Sequence, residues 1–131
     1  MSRPEREFPR YALEAAVEIR PHGTGSMRRG RTSNLSRGGL CALVDAAIPV
    51  GRTVDAQIAL VFSEGSTSEP LALPARVVWC TDLGNGHQVG LAFQGLVAGQ
   101  REYLELFLRF LEEGAQARRV AGAGNGDPFG T

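Results

Sequence analysis

The chain contains no lysine. All fourteen of its basic residues are arginine, and fourteen acidic residues bring the net charge to zero. A neutral chain lacks the strong positive field on which duplex nucleic-acid binding depends, so no duplex partner is expected. There are only two cysteines, Cys41 and Cys80, both in apolar runs, with no Cys-x-x-Cys pair and no histidine at metal-ligand spacing. They read as small buried thiols in a reducing compartment, and no metal site is expected. The two histidines, His22 and His87, fall in turn-like segments and complete no Ser/His/Asp or Cys/His arrangement, so no catalytic residues and no cofactor are expected. No run of 18 apolar residues exists, which argues against a membrane helix. The start, "MSRPEREFPR", has no apolar stretch of the kind that directs secretion, and a cytoplasmic protein is the expectation.

What is present suffices for one domain, or one domain with a tail: 131 residues, 43% of them hydrophobic and 21% charged. Charge is unevenly spread. Residues 1–40 hold eight arginines (Arg3, Arg6, Arg10, Arg20, Arg28, Arg29, Arg31, Arg37) against four glutamates (Glu5, Glu7, Glu14, Glu18), a surplus of four. Arginine grips phosphate at two points and stacks on aromatic rings, so this third of the chain hints at an anionic partner.

Alternation of apolar and polar residues dominates the middle. "ALEAAVEIR" points Leu13, Ala15, Val17 and Ile19 one way. A loop, "PHGTGSMRRGR", leads to a short strand through Thr32 and Ser33, and "LCALV" follows as another. "VDAQIALVF" alternates again, and "LALPARVVWC" puts Leu71, Leu73, Ala75, Val77 and Trp79 on one face, with Pro74 marking an edge or bulge. "TDLGNG" is a turn. "HQVGLAF" turns Val89, Leu91 and Phe93 inward, with Gly90 opposite, where a backbone or ligand could approach closely. The period changes once, at "VAGQREYLELFLRFLEEG": Leu104, Phe107, Leu108 and Leu111 recur at helical spacing, Glu105 and Arg109 form an i, i+4 pair, and Gly114 ends the helix. The expected fold is therefore mainly β: a small six- to seven-stranded antiparallel (split) β-barrel with one C-terminal α-helix. Seven of the nine residues from Tyr103 to Leu111 are apolar, so the helix either meets a second subunit, as in a homodimer, or a partner, or is covered by the barrel and its loops.

One stretch asks for more than a turn. "NLSRGG" places Asn34, Ser36 and Gly39 after an N-terminal "REFPR" that carries Arg6 and Arg10, with 23 residues between the two. Arg-x-x-x-Arg followed at that distance by Asn-x-Ser-x-x-Gly resembles the paired motif of PilZ domains, the bacterial cyclic di-GMP receptors, and the likeness extends over about residues 5–113. The chemistry suits such a ligand: Arg6 and Arg10 offer planar cations for phosphate or guanine, Asn34 and Ser36 short polar groups for a base edge, and Gly39 room for close approach. Composition divides the chain into a flexible leader over residues 1–11, whose one apolar anchor is Phe8, a barrel with its helix over 12–113 and a disordered Gly/Ala-rich tail over 114–131. The resemblance implies a non-enzymatic receptor whose leader orders on cyclic di-GMP and signals to an unidentified protein effector in motility or biofilm regulation. The alternative is a PilZ-like interaction module for motility or pilus machinery that binds no nucleotide. Glu5, before the first motif arginine, is an acid that would repel phosphate and lower affinity.

Overall fold

Strand after strand buries every second residue, and that period fixes the architecture. The structure, a computed structural model, describes residues 12–23 and 25–125. Six strands, β1 (Ala12–Pro21), β2 (Arg28–Leu35), β3 (Gly39–Val44), β4 (Thr53–Phe62), β5 (Leu71–Asp82) and β6 (His87–Phe93), precede a helix, α1 (Ala98–Asn125). The strands pair antiparallel throughout and close into a barrel in the order β1-β2-β3-β6-β5-β4. Closure leaves no unpaired sheet edge. Val54, Ala56, Ile58, Leu60 and Phe62 of β4 and Leu71, Leu73, Ala75 and Val77 of β5 all point into the barrel. A fully buried side chain such as Ile58 or Leu73 contributes about 1.5–3 kcal/mol relative to an exposed one.

The helix closes one end of the barrel. Its start is tied to β5: the Val97 N–H donates to Gln100 Oε1 (2.9 Å), and Gln100 Nε2 donates to the Ala72 carbonyl (3.0 Å). Leu104 and Phe107 are buried, and Phe110 meets Phe62 edge-on with ring centroids 5.5 Å apart. Tyr103, Leu108 and Leu111 pack partly buried on the same core. The barrel thus covers Leu104 and Phe107 fully, and Leu106, 37% exposed, is the large apolar residue left outside among those of α1 whose side chains are described. No helix among the described residues is long and apolar enough to cross a membrane.

Four expectations need correction. Leu13 is not a core residue: the β1–β4 register shifts between Ala12 and Glu14, and this bulge buries Ala12 and turns Leu13 outward. Trp79 leaves the inner face for the same reason, because the β5–β6 register shifts between Val77 and Trp79. "RRGR" is strand rather than loop, and its Gly30 is needed there because a Cβ would stand 1.7 Å from the Leu43 carbonyl oxygen. Gly114 does not end the helix, which runs to Asn125, so residues 114–125 of the expected disordered tail are helical; 126–131 lie outside the described residues. Gly114 serves instead as the point where α1 passes β1, since a Cβ would meet the Ala12 carbonyl oxygen at 1.9 Å.

Candidate functional site

The β2–β3 turn and α1 form the walls of the site. β2 and β3 pair at Gly30↔Val44 and Arg31↔Leu43, slip, and resume at Asn34↔Cys41 and Leu35↔Leu40. Thr32 sits in the slip, 5% exposed and the one buried polar residue among those described. Its hydroxyl donates to the Cys41 carbonyl and accepts the Asn34 N–H (2.8 Å), replacing the ladder bonds that the bulge removes. Asn34 emerges from this arrangement with its side chain exposed. Nothing in the sequence singled out Thr32 except its place two residues before Asn34.

Beyond Leu35 the chain reverses within the "SRGG" segment. The Ser36 N–H and Oγ both donate to the Gly39 carbonyl (2.9 and 3.2 Å), and the Gly38 N–H donates to Ser36 Oγ (3.3 Å). The Gly38 carbonyl in turn accepts the Phe93 N–H (2.8 Å), anchoring the turn to β6. Ser36 is exposed at the tip. Gly39 answers to packing: a Cβ would lie 1.9 Å from the Leu91 carbonyl oxygen, so the close approach it allows is that of β3 to β6.

Arg37, between Ser36 and the glycines, reaches across to the helix. Its guanidinium makes a two-point ion pair with Glu105, through Nη2 to Oε1 (3.0 Å) and Nε to Oε2. The hydrogen bond and charge of Glu105 hold the Arg37 pKa above its ordinary value. Glu105 therefore takes Arg37 rather than its i, i+4 neighbour Arg109. The pair divides two open grooves. The larger, about 550 Å³, has Leu35, Ser36 and Arg37 on one wall and Leu108, Arg109, Leu111 and Glu112 on the other. The smaller, about 410 Å³, lies toward Phe93, Leu96 and Arg101.

The remaining N-terminal arginines are mostly spoken for. Arg28 donates to the Ala47 carbonyl through Nε (3.0 Å) and Nη2 (2.7 Å), Arg29 faces Glu18 at 3.5 Å, and Arg31 meets Glu14 at 2.8 Å. The cluster at Arg28–Arg31 is thus engaged along the barrel wall rather than offered to an anion. Arg6 and Arg10 lie outside the described residues. A row of cross-strand pairs on the outer face links Asn34 to Trp79. Asn34 pairs with Cys41, Cys41 with Gly90 and Gly90 with Trp79, a single row across four strands on the outer face. The Trp79 indole lies over Gly90, where a Cβ would come within 2.2 Å of Nε1. Gly90 does permit a close approach, and the group that approaches is this 39% exposed tryptophan.

The family model of the PilZ domain matches residues 4–110 of the chain, a span that includes Arg6, Arg10 and the whole β2–β3 turn. The chain belongs to the PilZ domain family. Solved PilZ structures share its fold. The PilZ domain of Escherichia coli YcgR, solved with c-di-GMP, is 18% identical with a TM-score of 0.61, over 85% of this chain and 94% of that one. The PilZ domain of CeSA from a cellulose-synthesising bacterium is 23% identical with a TM-score of 0.54, over 79% and 97%. The Bacillus subtilis inhibitor of motility MotI/DgrA is 21% identical with a TM-score of 0.56, over 76% of this PilZ chain and 48% of that protein. The chain therefore spans about half the length of the Bacillus protein. Comparison with curated protein sequences gives no match.

Proposed function

We propose that this PilZ domain is a receptor for cyclic di-GMP, held at the barrel end where the β2–β3 turn, the start of β1 and the helix meet. The observation that carries this reading is the exposure of Asn34 and Ser36 together on that end, beside the point where the Arg6- and Arg10-bearing segment joins the barrel. Continuing the β1–β2 register three residues past Ala15↔Thr32 brings Ala12 about level with Leu35. Arg10, two residues before Ala12, lies within about 7 Å of that point along the chain, and Arg6 within about 20 Å. Both motif halves can therefore close on one ligand.

Each group has a task that its chemistry suits. Arg6 and Arg10 pair with the two phosphates or stack on guanine, with charge-assisted bonds stronger than neutral ones. The Asn34 amide and the Ser36 hydroxyl read a guanine edge. Residues 1–11 fold over the nucleotide, and the ordered segment with the adjoining surface is what a protein partner senses. The protein acts as a receptor and adaptor rather than an enzyme, in the motility or biofilm setting that c-di-GMP signalling implies. Trp79, the chain's one tryptophan, supplies a reporter because it ends the cross-strand row that begins at Asn34. Titration with cyclic di-GMP should change its emission saturably in the wild type and require higher ligand concentrations in Arg10→Ala. Emission that ignores the nucleotide, while a free guanine nucleotide control also has no effect, argues against a ligand on this face.

A further inference from the structure

The smaller groove is a rigid, charged and partly apolar recess. Gly95, in the left-handed conformation (φ 60°), turns the chain out of β6. The Gln94 N–H donates to the Pro74 carbonyl (2.9 Å), which fixes this corner to β5. Leu96 thus comes beside Phe93 and Leu104, and these three line the groove with Arg37, Arg101 and Glu105. Leu104 is buried, whereas Phe93 and Leu96 pack on the core with part of their surface open. Val97, the next residue in the chain, is 63% exposed.

The charges do not cancel. Glu105 follows Arg101 by four residues, the spacing of a helical ion pair, yet its carboxylate goes to Arg37 on the β2–β3 turn. Arg101 is left with no carboxylate partner among the described residues. Its Nε donates to the Leu96 carbonyl (3.2 Å), so the guanidinium is held at the edge of the apolar floor. Two arginines against one glutamate give the groove a surplus positive charge.

We propose that this groove docks a protein partner through a large apolar side chain followed two residues later by a carboxylate. The apolar group sits on Phe93, Leu96 and Leu104, and the carboxylate pairs with Arg101. In an extended segment, residues two apart share one side, and the arginine fork takes a carboxylate at two points. At about 410 Å³ the groove is of ligand-pocket size, but it is open, and a free small molecule is held by enclosure on most of its surface. A side-chain pair on a protein has its outer side covered by its own chain. An arginine beside a compact apolar floor is also the composition of interface hot spots. The proposal is independent of the receptor reading above, because it uses neither Asn34 nor Ser36.

The test is a titration with the blocked peptide acetyl-Phe-Ser-Glu-amide, followed through the arginine side-chain Nε–H resonances. The peptide should shift the Arg101 resonance saturably. Acetyl-Phe-Ser-Gln-amide and acetyl-Ala-Ser-Glu-amide should each bind at least about fivefold more weakly, a comparison that needs no protein variant. Arg101→Gln should weaken the first peptide about tenfold, and Glu105→Gln, which frees Arg37, should strengthen it about two- to fivefold. Light scattering should give one mass for wild type and Arg101→Gln alike. Equal binding of the three peptides, no saturable shift, or full affinity in Arg101→Gln overturns the proposal. A dimer that Arg101→Gln breaks makes the occupant a second copy, and displacement of the peptide from Arg101→Gln-sensitive sites by cyclic di-GMP acting on Arg101 itself makes it the nucleotide; each overturns the partner. Absence of nucleotide binding alone overturns the receptor and leaves the groove's role standing.

Discussion

Arg37 and Glu105, 68 residues apart in the chain, share a two-point ion pair that ties the tip of the β2–β3 turn to the helix. Both groups are exposed, so the pair contributes little to stability. On the receptor reading proposed above, its consequence is for the nucleotide, because Glu105 neutralises the cation nearest Ser36. Glu105→Gln should leave the melting temperature nearly unchanged and lower the dissociation constant for cyclic di-GMP about two- to fivefold, the size of an exposed charge effect. Unchanged or weaker binding would mean that Arg37 does not face the nucleotide.

Thr32 holds the backbone at Asn34 through its hydroxyl, which accepts the Asn34 N–H (2.8 Å). Thr32→Val keeps the shape of the side chain but strands the Asn34 N–H and the Cys41 carbonyl in a nearly buried place. The expected cost is about 1–3 kcal/mol in unfolding free energy by urea titration. Thr32→Ser, which retains the hydroxyl, should recover most of the nucleotide affinity that Thr32→Val loses. If serine fails to rescue affinity while restoring stability, the link from Thr32 to Asn34 is wrong.

The two motif-turn glycines should behave differently. A Cβ at Gly38 meets nothing within 4 Å, whereas one at Gly39 strikes the Leu91 carbonyl oxygen at 1.9 Å. Gly38→Ala should be close to neutral in thermal melting. Gly39→Ala should lose about 2 kcal/mol or more by forcing β3 away from β6. Equal melting temperatures for the two variants would contradict this division between turn and barrel.

Much of this was legible in the residues, and the exceptions share a cause. Val54 to Phe62 announced β4 because a half-buried strand has no period but two, and all five of its inward residues are buried. Leu13 and Trp79 broke the pattern through bulges, which add one residue to one strand and leave no mark in the alternation itself. Gly114 looked like a helix end because local rules place glycine there; its real constraint is the Ala12 carbonyl, a neighbour far away in sequence. The Ala-rich segment after it is sound helix-forming sequence, and the helix continues. Asn34 and Ser36 stood out in the sequence through the motif, and both are exposed at the β2–β3 turn. Arg37's attachment to Glu105 and Thr32's place in the bulge were not legible, since both depend on pairings made only by the folded chain.

The central claim is that Arg6 and Arg10 act with Asn34 and Ser36 on one bound cyclic dinucleotide, and calorimetric titration tests it most directly. Wild-type protein should bind cyclic di-GMP saturably at micromolar concentration or below. Arg6→Ala and Arg10→Ala should each weaken binding at least tenfold, about 1.4 kcal/mol, with unfolding unchanged because both residues precede the first strand. Absence of binding heat at micromolar ligand, confirmed by equilibrium dialysis, or full affinity in both arginine variants, would contradict the account.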